Sequence, residues 1–207
     1  MPAAGINGAP VPWPAVPGPI SQTLADLELI ASACTKCPLA SGRTTVVFGE
    51  GDPHAALMVV GEGPGREEDL QGRPFVGRSG QLVDRLLDEE MGLARKDVYI
   101  ANVVKCRPPG NRDPEPAEIE ACRPFLEQQV DLIDPKLVLT LGNFATRVLL
   151  DTKEGITKLR GHSYPYRGGV LVPTFHPAAA LRGGGEVLAQ MRADFVRAGR
   201  LLAAAPA

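Results

Sequence analysis

Aromatic side chains are scarce in this chain: ten rings, 5% of 207 residues, leave few for anything but core packing. A ring that falls in a loop therefore asks for a reason. No run of about 18 uninterrupted apolar residues exists, so no membrane-spanning helix is expected. The first twenty residues hold no charged side chain and no basic start before an apolar run, which excludes the pattern of a secretory signal. They carry six prolines instead and read as a disordered leader. Net charge is only −2, which excludes a uniformly basic nucleic-acid binder, but the distribution is uneven. Residues 151–207 hold eight Lys and Arg against four Asp and Glu, +4, leaving −6 for the rest, so a polyanion is expected on one face only.

Cysteine is scarce too, and all four fall into one pattern: Cys34 and Cys37 as C-x2-C, then Cys106 and Cys122 as C-x15-C. A close pair plus two distant partners suits a metal centre that ties an N-terminal segment to a remote loop. Two disulfides or inert core thiols are the alternative, but C-x2-C spacing and the use of every cysteine favour ligation. Four-thiolate zinc sites usually show two close pairs. The wide second pair favours a cubane iron–sulfur cluster, [4Fe-4S], over zinc, and thiolates held for a metal imply a reducing, cytoplasmic setting.

Ser21 is a plausible cap for a helix in which Leu24, Leu27 and Ile30 recur at helical spacing. Four short apolar runs follow, residues 55–61, 98–104, 136–142 and 169–175, each continuous rather than alternating, as in strands covered on both faces. Helical patterns separate them: 81–91, 116–132, 143–150 and a closing one at 187–202. Regular alternation predicts a single three-layer α/β/α domain with a central four-stranded parallel sheet, its ligand site beyond the carboxyl ends of the strands.

The chain's unusual residues lie at those ends. Gly61-Glu62-Gly63-Pro64-Gly65 follows the first strand; it is glycine-rich but lacks the G-x-G-x-x-G spacing of dinucleotide sites, and the acids Glu62, Glu67, Glu68 and Asp69 argue against a phosphate cradle. Phe75, in Gly72-Arg73-Pro74-Phe75-Val76-Gly77, is either an anchor to the core or a stacking wall. Arg78 and Ser79 open the next helix, whose free amides can hold a phosphate. Asn102 precedes the run Lys105 to Arg112, KCRPPGNR, and His176 precedes Pro177 at the end of the fourth strand. Beyond it, Leu181 and Arg182 follow three alanines, one protruding apolar side chain beside one cation, the build of a DNA wedge. His54 and His162 have no such setting.

From Cys34 to Arg182 the motifs resemble the family 4 uracil-DNA glycosylases, the iron–sulfur branch of their superfamily. GEGPGREED, GRPFVG-x-x-G, N-x-x-KCRPPGNR, ITKLRG, FHPAAALR and the cysteine spacing appear in the family's order. The resemblance implies a DNA repair enzyme that flips deoxyuridine out of DNA and hydrolyses its N-glycosidic bond, over a domain at 21–205 after a leader at 1–20. It further implies that Gly61, Glu62, Gly63, Phe75, Asn102 and His176 bind the base, with Phe75 stacking and Asn102 reading its edge. Glu62, His176 and Glu68 are the catalytic candidates, His176 as donor to the leaving uracil and Glu62 ahead of Glu68 for placing water. Gly63 stands where other branches carry an Asp, and Gly65 where they carry a bulky aromatic that excludes thymine; Glu62 is the candidate for that exclusion. Arg78, Ser79, Lys105, Arg107, Arg112, Leu181 and Arg182 are expected to meet DNA, single- or double-stranded, and Cys34, Cys37, Cys106 and Cys122 to hold a structural cluster. A related branch that links covalently to its product carries a basic insertion absent after Asn102 here, so turnover is expected. The expected protein is a cytoplasmic monomer without a membrane partner; a replication clamp on the leader finds no support in the residues. Two rivals stay open, a non-catalytic iron–sulfur or zinc nucleic-acid-binding module and an electron-transfer protein, and neither calls for Phe75, Asn102 and His176 at three loop or strand ends.

Overall fold

The computed structural model describes residues 21–205, so the expected leader at 1–20 lies outside the described residues. In chain order the elements are α1 (Leu24–Ser32), α2 (Leu39–Gly42), β1 (Glu50–Gly51), β2 (Leu57–Gly61), α3 (Arg66–Gln71), α4 (Arg78–Met91), β3 (Tyr99–Asn102), α5 (Pro116–Ile133), β4 (Leu137–Leu141), α6 (Asn143–Leu150), α7 (Ile156–Leu159), β5 (Tyr164–Tyr166), β6 (Gly169–Thr174), α8 (Pro177–Gly183) and α9 (Gly185–Ala204). The strands form one sheet in the order β1-β3-β2-β4-β6-β5. Its four central strands are parallel, one from each apolar run, as the sequence predicts. Two short antiparallel edges, β1 on β3 and β5 on β6, are added to them.

Each central strand divides its side chains between two cores. Met58 and Val60 of β2 face a layer with Leu27 and Ala31 of α1, Phe125 of α5 and Leu149 of α6. Leu57 and Val59 face the other, with Leu86 of α4 and Met191 and Phe195 of α9. Burial on both faces is why these strands read as continuous apolar runs; each fully buried Leu or Val contributes about 1.5–3 kcal/mol. Pro173 is tolerated inside β6 because β5 begins only opposite Leu171, so no neighbour on that side needs its missing N–H. α1 is capped by the Thr23 hydroxyl, which accepts from Asp26 N–H at 3.1 Å, rather than by Ser21. Among the described residues no helix is long and apolar enough to cross a membrane.

The chain passes from β2 to β3 on one side and then crosses to β4 on the other. Strand order reverses at β2, which opens a crevice at the carboxyl ends of the sheet.

Candidate functional site

Gly61, Asn102, Gly142 and His176 stand at or just beyond the carboxyl ends of β2, β3, β4 and β6. Gly61 pairs in register with Asn102, and the ladder continues past both strands through Val103 N–H to Gly61 O (2.9 Å) and Val104 N–H to Glu62 O (3.1 Å). The GEGPG and NVVK segments are thereby zipped into one floor. A Cβ at Gly61 would fall 2.4 Å from Phe75 Cζ and 2.5 Å from Asn102 Oδ1, so only glycine lets ring and amide close on the same spot. The Phe75 ring in turn lies 6.3 Å from that of His176. Of the residues expected to bind a base, Gly61, Phe75, Asn102 and His176 therefore come together.

Phe75 is buried but belongs to a loop with φ of 51°, left-handed backbone that a bulky side chain rarely adopts. Two neighbours hold it there. Arg95 donates to Phe75 O at 3.2 Å and to Pro74 O, while Gly80 of α4 presses so close that a Cβ would meet Phe75 O at 1.7 Å. Asn102 is 1% exposed, and among the described residues its Oδ1 has no hydrogen-bond partner. A buried amide oxygen left unpaired costs about 1–3 kcal/mol, so this atom is set up for a ligand N–H.

His176 caps α8: its Nδ1 accepts from Ala178 N–H at 3.2 Å, leaving Nε2 to carry the ring proton. Burial, with the nearby Arg182 charge, pushes its pKa down to about 4, so the ring is a neutral N–H donor at pH 7. Gly142 backs it closely, since a Cβ there would lie 2.9 Å from His176 Cβ. At the end of β6, Arg160 makes a bidentate pair with the buried Asp194 (2.9 and 2.8 Å), which also accepts from Thr174 Oγ1 at 2.8 Å; the guanidinium lies 5.4 Å from the centre of the Phe175 ring. Arg160 and Asp194 were not singled out in sequence, although Arg160 lies inside ITKLRG.

The two acidic candidates part company. Glu62 is half-buried, and burial followed by the Asp113 charge raises its pKa to about 7. Glu68 is a clamp: Oε2 accepts from Gly65 N–H (3.1 Å) and Oε1 from Val76 and Gly77 N–H (3.0 and 2.9 Å). With three backbone donors on its carboxylate, Glu68 holds the GEGPG loop to the GRPFVG loop and is poorly placed to serve a water. A Cβ at Gly65 would lie 2.7 Å from Glu68 Oε2, so this carboxylate fills the space a Gly65 side chain would take. At Gly63 a Cβ would meet Val104 Cγ2 at 2.7 Å, which leaves no room there for an Asp.

Three residues expected at the DNA face are arranged differently. Lys105 is 2% exposed and points inward: Nζ donates to Asn102 O at 2.8 Å and to Gln129 Oε1 at 2.5 Å, with the Phe48 ring beside it. Burial lowers its pKa to about 8. Arg112 is engaged by the buried Glu118 in a bidentate pair (2.9 and 2.6 Å), and Arg107 donates to Asn111 Oδ1 at 2.6 Å within the surface loop. Arg78 and Ser79 do start α4, Arg78 exposed and Ser79 half-buried. α4 packs against α8, which presents Leu181, 42% exposed, next to the exposed Arg182.

Cys34, Cys37, Cys106 and Cys122 line one cavity, with Ala31, Ala40 and Ala121 as its small walls. Lys105 N–H donates to Cys122 Sγ (3.2 Å) and Arg43 Nη1 to Cys106 Sγ (3.4 Å); Arg43 is itself held by Cys34 O (2.7 Å). Among the described residues no three His, Cys, Asp or Glu side chains converge on the position of a single metal ion. Burial pushes the Cys122 thiol up to about 12, so its thiolate needs a metal to balance it.

Comparison with known proteins gives consistent matches. The Uracil DNA glycosylase superfamily matches residues 48–198. The Type-4 uracil-DNA glycosylase of Thermotoga maritima is 52% identical over 151 residues, covering 72% of this chain and 78% of that protein. That of Sulfurisphaera tokodaii is 49% identical over 157 residues (72% and 71%), and that of Archaeoglobus fulgidus 38% over 188 residues (87% and 94%).

Proposed function

The chain belongs to the uracil DNA glycosylase superfamily, and on that premise we propose that it is a type-4 uracil-DNA glycosylase, which flips deoxyuridine out of DNA, hydrolyses the N-glycosidic bond and leaves an abasic site for base excision repair. The observation that carries the reading is the orphaned Oδ1 of Asn102, buried beside Phe75. That oxygen accepts the ring N–H of uracil while the amide N–H₂ donates to its exocyclic oxygen; cytosine presents the reverse polarity and leaves both groups unpaired. Flipping costs a few kcal/mol, offset by stacking on Phe75 and by Leu181 filling the gap in the base stack, beside Arg182 and Arg78 on phosphates.

Bond cleavage pushes negative charge onto the departing uracil. His176 Nε2–H is the donor for that charge, and its neutrality at pH 7 suits it to stabilise an anion that leaves without being protonated. Glu62 orients the water that meets the cationic sugar. Thymine exclusion passes from Glu62 to Glu68, whose carboxylate fills the Gly65 side-chain position; Glu68→Ala should acquire thymine excision and Glu62→Ala should not. Four thiols around one cavity, two of them receiving N–H donors, are compatible with a [4Fe-4S] cluster, which the C-x2-C and C-x15-C spacing favours. Such a cluster would supply a rigid anionic clasp between α1, α5 and the loop after β3. DNA carrying uracil is the substrate.

The test is release of uracil from a single-uracil oligonucleotide without added metal. Alkali-labile product that is nearly lost in Asn102→Ala and His176→Ala is the expected result. Tight DNA binding without uracil release would instead establish the non-catalytic module.

A further inference from the structure

Resting on that reading, we infer that Lys105 is a positioning residue that joins the cysteine centre to the amide that reads the base. Its two ends touch the two sites. At the backbone, its N–H donates to Cys122 Sγ at 3.2 Å, its carbonyl accepts from Val47 N–H at 2.8 Å, and the next residue is Cys106. At the tip, Nζ donates to the carbonyl of Asn102, closing a ring over the four residues 102–105, and to Gln129 of α5. Gln129 is itself fixed by donating to Phe48 O at 2.9 Å and Tyr99 Oη at 3.2 Å. The segment from Asn102 to Cys106 is therefore strung between a cysteine pair and a buried ammonium, all of it inside the protein.

The charge balance points the same way. Among the described residues, the groups that accept from Lys105 Nζ are a peptide carbonyl and a side-chain amide, both neutral. A buried ammonium without a counter-charge is strongly unfavourable. Thiolates of Cys106 and Cys122 holding a cluster would supply a counter-charge next to the Lys105 backbone, so the ammonium would be steadied by the same group that receives its N–H. Loss of that centre frees Lys105 and with it the Asn102 carbonyl, turning the reading amide out of register with the base.

The decisive measurement is binding of the holoprotein to an oligonucleotide bearing 2′-fluoro-2′-deoxyuridine, whose glycosidic bond resists cleavage, against the same oligonucleotide with cytosine. Iron content and far-UV circular dichroism are followed alongside. Lys105→Met is expected to retain iron and fold yet lower the uracil-over-cytosine preference about tenfold, ~1.4 kcal/mol, with cytosine-DNA affinity unchanged. Gln129→Leu, which leaves Lys105 in place with one anchor fewer, is expected to shift it the same way by a smaller factor. Stripping the cluster from the wild type should reproduce the Lys105→Met preference, and stripping it from Lys105→Met should add little, since residues in one network do not add. An unchanged preference in iron-replete Lys105→Met would overturn the inference, as would independent, additive losses. If Lys105→Met does not fold, an unchanged preference in Gln129→Leu together with an unchanged preference in the stripped wild type overturns it. If the wild type itself prefers uracil to cytosine by nothing and releases no uracil, it is the proposed function that fails.

Discussion

The two polar residues proposed to act on uracil, Asn102 and His176, each stand at a strand end near a cation, the buried Lys105 and the partly buried Arg160, but the two cations are balanced differently. Behind His176, Arg160 meets the Asp194 carboxylate in a bidentate pair tied to Thr174 at the end of β6. Behind Asn102, Lys105 Nζ meets a carbonyl and an amide, while its backbone N–H meets the Cys122 thiol. The first support is complete in the twenty amino acids alone. The second is complete only with a charged centre on the cysteines, so the catalytic donor and the reading amide should respond to different injuries. On the proposed reading, a cluster remote from bond cleavage would have a physical reason to belong in a hydrolase: it would steady recognition while the donor side looks after itself.

The largest effect expected from breaking the comparison falls on His176. His176→Ala removes the side-chain N–H that meets the charge developing on the leaving base in this reading, and uracil release should fall on the order of 10²–10³-fold in kcat, with affinity for uncleavable uracil-DNA nearly kept. Asn102→Ala should do the reverse in character, losing affinity and preference for uracil. Single-turnover rates beside binding curves separate the two; a loss of affinity in His176→Ala equal to its loss of rate would merge the sites into one. Next comes Asp194→Asn, which leaves the Arg160 guanidinium uncompensated and should cost about 3 kcal/mol of stability, seen as a lower melting temperature and a slower donor step with iron content unchanged. Iron loss in that variant would show the two supports to be a single unit.

Legibility in the sequence follows the same division. The four central strands read as apolar runs because burial on both faces removes polar alternation, and α6 spans Asn143–Leu150 as its pattern indicates. Edge strands β1 and β5 were not legible: two and three residues carry no period, and pairing to β3 and β6 creates them. The pocket residues were visible as odd residues at strand ends. Charged residues misled. Lys105 read as a surface cation because Lys is rarely buried, and the ion pair that engages the partly exposed Arg112 was not visible, because the partners Gln129 and Glu118 lie on a later helix and give no local sign. Glu68 read as a catalytic acid for the same reason, since its acceptors' donors, Val76 and Gly77, sit across a loop. Arg160 and Asp194, 34 residues apart, are joined only by the fold.

A smaller effect is expected at Leu181, which neither cation supports and which stands exposed on α8. Leu181→Ala should lower uracil release from duplex DNA about tenfold, ~1.4 kcal/mol, and much less from single strands, where no stack has to be held open. Equal losses on both substrates would remove the wedge role and leave Leu181 as a general DNA contact.

The smallest effect sharpens the comparison through pH. Glu62 lies between the two ends of the site with its pKa raised to about 7 by burial and by Asp113, whereas His176 has been lowered to about 4. The signs are opposite in consequence. Folded His176 resists protonation relative to the unfolded chain, so its share of stability is present above pH 6.5 and is lost as pH falls towards 4. Folded Glu62 retains a proton that the unfolded chain releases near 4.5, so its share is present below 4.5 and is lost as pH rises through 7. The carboxylate that orients water thus forms at some expense of stability just where the rate should rise. Uracil release should climb through about pH 7 in the wild type and flatten in Glu62→Gln, with a loss of only a few-fold at pH 8 because an amide can still hold a water. The same variant should melt higher than the wild type at pH 8 and equally at pH 4. A rate limb near 7 that survives in Glu62→Gln would assign it to another group and leave Glu62 without a part in placing water.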